Sequence, residues 1–321
     1  MTKYVLGRLL IIIPLLLAIT VAVFAMLQLT PGDPLDSYLP PDQTLTEQEK
    51  ANLRRTLGLD QPPVIRYFFW LGQTLQGNLG FRSKNFQPVG EAIVSHLGPT
   101  LLLMGSALLI GIVLGLSLGV LSAVKQYSIL DFVLSMLAFL GISTPVFLTG
   151  LLGLYFFSLQ LHWFPAGGFS TPGQPYSLLD NLNHLLLPAL IVSLTFVPPI
   201  MRYTRSSMLE ALSQDYIRTA RAKGLAERVV IGKHTLRNAL LPVVTIIGAS
   251  VPSLLAGAVF TESIFSWPGM GQLFLDGVES RDYNLVMGLT LILATLVLLS
   301  NLATDIAYSL IDPRIRYGKE G

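Results

Sequence analysis

The chain has no cysteine in its 321 residues, which excludes structural disulfides, zinc–thiolate sites and a cysteine nucleophile. Histidine is scarce, and His96, His162, His184 and His234 are too scattered to read as a metal cluster. Charge is short as well. Asp, Glu, Lys and Arg make up 12% of the chain, against about 25% in ordinary soluble domains, and the mean hydropathy is +0.61. A water-facing surface cannot be built from that composition, so the chain reads as an integral membrane protein. A phosphate-binding loop is missing: Gly232–Lys233 is followed by His234, and Glu227 stands where the first glycine should be. Nor does any ionisable residue fall near the middle of a long apolar run, as a proton relay would require.

What the chain does have is length without charge. Six stretches approach the roughly 20 apolar residues needed to cross a bilayer as a helix: residues 9–29, 100–124, 132–161, 185–201, 239–260 and 283–303. The first is too long for a signal-peptide core and lacks an Ala-x-Ala cleavage site, so it reads as a retained anchor. The fourth is short, and Pro188, Pro198 and Pro199 are expected to bend it. Basic residues of short loops stay in the cytoplasm. Lys3, Arg8, Lys125, eight residues from Arg202 to Arg237, and Arg314, Arg316 and Lys319 all fall on one side, whereas Arg281 alone lies in a short loop on the other. Both termini are therefore expected in the cytoplasm.

The first outer segment is patterned. Thr46 and Glu49 have capping-box spacing in "TEQEKANLRRTLG", which ends at Gly58, and Tyr67 to Trp70 form an aromatic run. A lid over the bundle and a docking surface both fit that pattern. "LHWFPAGGF" at 161–169 has the same interfacial look. Within the runs, Gly111, Gly115 and Gly119 form one smooth face for close approach of another helix. Pro242 and Pro252, and "GISTP" at 141–145, suit a bundle that bends around an interior.

The longest basic loop reads as helix, corner, helix. In "SSMLEALSQDYIRTARAKG" Met208, Leu212, Tyr216 and Ala220 fall on one face and Glu210, Gln214, Arg218 and Arg221 on another. Gly224 is the natural stop, and "AERVVIGKHTLRN" leads into the fifth run. Such a segment can rest on anionic lipid or insert into a partner's groove.

"DYIRTARAKGL" at 215–225 and "LRNALLP" at 236–242 resemble the cytoplasmic EAA loop of the membrane-spanning subunits of ABC importers, in the peptide and nickel permease branch. "LTPGDP" at 29–34, "LGLDQP" at 57–62, "ESIFSWPGMGQL" at 262–273, "RDY" at 281–283 and "DPRIR" at 312–316 are similar to the same branch and extend the likeness over almost the whole chain. Arg218, Thr219 and Ala220 stand where the general motif has Glu-Ala-Ala, and His234 to Arg237 replace its closing Ile-x-Leu-Pro. That departure puts in doubt any ion pair the missing glutamate makes elsewhere.

The resemblance implies an all-α, six-helix, type I importer fold. It would comprise an N-terminal helix (1–30), an extracytoplasmic loop region (31–96), a membrane core (97–308) with the coupling loop at 202–238, and a cytoplasmic tail (309–321). It implies a non-catalytic subunit of the bacterial or archaeal inner membrane that carries short peptides inward by ATP-driven alternating access; glutathione, nickel chelates or another small solute are alternatives. The implied partners are a second similar permease subunit, two cytoplasmic ATPases holding ATP and Mg, an extracytoplasmic binding protein and membrane lipid, with no nucleic acid and no cofactor or metal in this chain. Asp215, Tyr216, Arg218, Ala220, Lys223, Gly224 and Leu225 would couple to the ATPase, and Glu262, Pro268 and Gly269 would shape the outer mouth. A proton-coupled carrier is disfavoured by charge-free runs and by the absence of an internal repeat.

Overall fold

The computed structural model describes residues 2–29, 35, 38, 46–175, 177–256 and 258–311. Most of "LTPGDP" and all of "DPRIR" lie outside these residues. Regular structure among them is helical, apart from one bridge between Phe81 and Pro88. In chain order the helices are α1 (Thr2–Leu29), α2 (Glu47–Thr56), α3 (Pro63–Leu75), α4 (Val89–Val124), α5 (Ile129–Ser143), α6 (Val146–Gly153), α7 (Leu178–Ser193), α8 (Val197–Leu212), α9 (Asp215–Ala222), α10 (Glu227–Val229), α11 (Leu236–Ala256), α12 (Val259–Ile264), α13 (Met270–Glu279) and α14 (Tyr283–Ile311). Wider π-type turns extend α6 through Leu154–Gln160 and join α10 to α11 through Val230–Thr235.

Among the described residues three helices are each long and apolar enough to cross a membrane: α1, α4 and α14. Three bent pairs raise the number to six if each pair makes one crossing: α5 with α6 and its extension at 105°, α7 with α8 at 55°, and α10–α11 broken at Pro242 by 50°. The bends have local causes. Thr144 is held extended (φ −90°, ψ 126°), as the residue before Pro145 must be, so the third apolar run turns sharply. Pro198 and Pro199 sit in the first turn of α8, where a missing N–H costs no helical hydrogen bond. The fourth run thus divides into two full helices and extends over 178–212, well past the expected 185–201.

The chain forms two compact units, one of residues 1–100, 255–259 and 268–321, the other of 101–254 and 260–267. In the first of them α14 joins α1 and the 46–99 segment. In the first unit α1 and α14 run antiparallel and are tied at both ends. The Tyr283 hydroxyl donates to the Leu27 carbonyl at 2.7 Å, and Arg8 pairs with Asp305 at 3.0 Å. The capping box is formed: Thr46 N donates to Glu49 at 2.8 Å, and Glu49 N to the Thr46 hydroxyl at 3.4 Å. Tyr67 is buried against Phe24, and its hydroxyl meets that of Thr20 at 3.0 Å, while Phe68 and Phe69 remain exposed. Asp282 caps α14 by accepting from Leu285 N and also accepts from Ser83 N at 2.8 Å. Burial pushes its carboxyl above the ordinary range, against the pull of those amides.

The second unit is built on a seam between α4 and α8. A Cβ added at Gly111 would lie 2.6 Å from Phe196 Cβ, one at Gly115 2.7 Å from Ile200 Cβ, and one at Gly119 2.6 Å from Thr204 Cβ. The glycine face is therefore filled by the same chain, with Phe196 at the N-cap of α8 and Ile200 and Thr204 within it, at four-residue spacing, seated on three glycines of α4.

Candidate functional site

The basic loop begins where α8 stops at Leu212, and Ser213 and Gln214 leave the helical path before α9 restarts. That break resets the phase of the apolar stripe. The single face expected from Met208, Leu212, Tyr216 and Ala220 is not formed. Met208 and Ala211 are buried on α8, Ile217 and Ala220 on α9, and Tyr216 points outward at 41% exposure. Ile217 and Ala220 pack against Val230, so α9 is fixed to the stretch that leads into α11. Asp215, Arg218 and Lys223 are all exposed; Asp215 pairs with Arg218 at 3.3 Å within the helix.

Gly224 makes the corner by a defined motif. Its N–H donates to the Arg221 carbonyl at 2.9 Å, and Leu225 N–H to the Ala220 carbonyl at 3.3 Å. These are the two hydrogen bonds of a Schellman stop, and they require the positive φ of +77° that Gly224 adopts. No atom lies within 4 Å of a Cβ built there, so glycine is needed for its backbone and not for space. Leu225 leaves the corner 40% exposed. Arg221 reaches across it to Glu227, with Nε–Oε1 at 2.7 Å and Nη2–Oε2 at 3.4 Å.

Sequence reading missed what anchors this loop to the bundle. Asp131, 4% exposed at the start of α5, receives Arg205 Nε and Nη2, each at 2.8 Å, together with the Ser122 hydroxyl and Tyr127 N–H at 3.0 Å. One carboxylate thus joins α4, α5 and α8. The turn it closes holds Tyr127 at φ 62°, a conformation unfavourable for a non-glycine residue. Just beyond, Met208, Ala211, Ala123 and Ala239 form a small core with Ile231 and Leu236 against it. The available signal was one carboxylate at the mouth of an uncharged run, which ordinarily implies a specific partner.

The expected outer-mouth residues divide between the two units. Glu262 belongs to the second, where it is fully buried on α12 beside the buried Phe265 and Trp267. Its carbonyl accepts Trp267 N–H at 2.8 Å around Ser266, which has φ 47°. Gly167 and Gly168 lie against the Phe265 carbonyl, and Phe169 packs on Trp267 with ring centroids 5.0 Å apart. Glu262, Phe265 and Trp267 are thus core residues. Pro268 and Gly269 belong to the first unit, where Gly269 precedes α13 and Met270 N donates to Thr100 at 2.7 Å.

Helices able, among the described residues, to cross a membrane up to six times define a multi-pass membrane protein. The chain belongs to the family of binding-protein-dependent transport system inner membrane components, whose model matches residues 111–317. It is 53% identical over 317 residues to a putative peptide permease protein of Brucella suis biovar 1, covering 98% of this chain and 99% of the relative. An oligopeptide transport system permease protein of Bacillus subtilis is 41% identical over 318 residues, 99% of this chain and 100% of its own. The dipeptide transport system permease protein of Escherichia coli is 38% identical over 340 residues, with the same coverage. The chain is accordingly a permease subunit of an ABC importer, a transport component and not an enzyme, and it works with ATPase and binding-protein partners.

Proposed function

We propose that the chain forms part of the pathway by which short peptides enter the cell, with α9 and its glycine corner as the coupling segment for an ATPase. The peptide assignment is supported by relatives at 53%, 41% and 38% identity over nearly the full length, all named for peptide transport. The observation that carries the coupling role is mechanical continuity. The inner face of α9 is locked to Val230, and the segment after it packs on α8. α8 in turn is seated on the α4 glycines and clamped by Asp131. Force applied at the exposed Tyr216 and Leu225 therefore has packed neighbours at every step into the spans.

In this reading both termini and the loop face the cytoplasm, as the distribution of basic residues favours. A second similar membrane subunit completes the pathway, two ATPases hold ATP and Mg, and this chain holds no cofactor. Glu262, Pro268 and Gly269 then belong to the outer half of the pathway.

The absence of cysteine makes the test clean, because a single Tyr216→Cys or Leu225→Cys change introduces the chain's sole thiol. Either should cross-link to the ATPase in the assembled transporter, whereas Arg281→Cys should not, and ATP depletion with the proton gradient intact should stop uptake. Cross-linking at Arg281 or uptake without ATP would overturn the proposal. Uptake of glutathione or a nickel chelate in preference to peptides would leave the coupling role standing and reassign the cargo.

A further inference from the structure

The first unit holds a cavity of about 730 Å³ with no part in the reading above. Its floor is Phe24, Tyr283 and Met287, and its walls include Ile65, Phe69 and Trp70 of α3. Phe24 lies five residues inside the end of α1, and Met287 four residues inside the start of α14. At about 1.5 Å per residue, Phe24 and Met287 sit roughly 6–8 Å inside the ends of two helices long enough to cross a membrane.

Two arginines line the same cavity. Arg55 is exposed and makes no ion pair or side-chain hydrogen bond among the described residues. Arg66 lies over the Tyr283 ring at 5.7 Å and donates to Gln28 Oε1 at 3.4 Å. No Asp or Glu is among the described lining residues. The nearby carboxylate of Asp282 is committed to the amides of Ser83 and Leu285. The charge on the described lining is thus positive. Its apolar wall continues outward over α3, where Val64, Ile65, Phe68 and Phe69 are exposed.

We infer that this cavity binds an anionic phospholipid, with the phosphodiester at Arg55 and Arg66 and the acyl chains along the exposed face of α3. Charge decides against the transported cargo as occupant, because a free peptide brings an ammonium group for which the described lining offers no carboxylate. It also favours phosphatidylglycerol or cardiolipin over a zwitterionic lipid. The aromatic and cationic lining beside an apolar face is the chemistry of an interfacial lipid site. The inference goes beyond the transport reading and holds whatever solute is carried.

The test is native mass spectrometry of the complete transporter, titrated with phosphatidylglycerol or phosphatidylcholine. Wild type should retain phosphatidylglycerol preferentially. Arg55→Gln, which breaks no contact among the described residues, should lower that retention about fivefold, and the pair Arg55→Gln/Arg66→Gln by more, given the usual strength of one basic side chain against an anionic membrane. Glycerol 3-phosphate, which has the phosphate without the chains, should compete only at much higher concentration, and a dipeptide should not compete. Unchanged retention in Arg55→Gln, equal retention of the two lipids, or displacement by the dipeptide would each overturn the inference.

Discussion

The glycines of α4 and the glycine at 224 look alike in the sequence, yet they act in opposite ways. Gly111, Gly115 and Gly119 have ordinary helical backbones and no room, since a methyl group at any of them would stand within 2.7 Å of the side chain of Phe196, Ile200 or Thr204. Gly224 has open space around it and a backbone that other residues adopt only with strain. The first set holds the bundle together, and the second sets the direction in which a surface segment leaves it. Substitutions in the seam should cost stability, and those in the corner should cost coupling.

The largest effect is expected at the seam. Gly115→Leu must displace Ile200, and overpacking of this kind costs about 3 kcal/mol or more. The purified variant should melt far below wild type, and Ile200→Ala in the same chain should restore part of the loss. Next is the clamp. Asp131→Asn leaves Arg205 without its charge partner, which costs about 3 kcal/mol for a buried pair and less here because Arg205 is partly exposed. Converting both residues to apolar ones should recover most of the midpoint while removing the rigid tie.

Smaller effects belong to the corner. Gly224→Val should cost about 1–2 kcal/mol locally and leave the melting midpoint of the transporter nearly unchanged, and Gly224→Asn, better suited to positive φ, should cost less. The exposed Arg221–Glu227 pair should contribute about 0.5 kcal/mol in a double-mutant cycle with glutamine at each position, and high salt should erase it.

Much of this was legible in the sequence because its signals are local. The uncharged runs gave the spans, Thr46 and Glu49 marked the start of α2, and Gly224 marked the stop of α9. The glycine face of α4 was visible too, although nothing in the order of residues named α8 as its filler. What could not be read was set by contacts distant in the chain. Asp131 and Arg205 are 74 residues apart, and no periodicity joins them. The apolar stripe failed for a different reason, because two residues at Ser213–Gln214 shift the helical phase, and a four-residue repeat counted across them groups Tyr216 with the wrong face. The burial of Glu262 and Trp267 was hidden by a stretch rich in turn-forming residues that nevertheless packs as core.

The central claim is that the corner transmits ATPase motion without supporting the fold. It is tested most directly by measuring peptide uptake, ATP hydrolysis and melting midpoint together for Gly224→Val in the reconstituted transporter. The account predicts an unchanged midpoint, continued ATP hydrolysis and loss of most uptake. Uptake at the wild-type rate with the midpoint unchanged would contradict it.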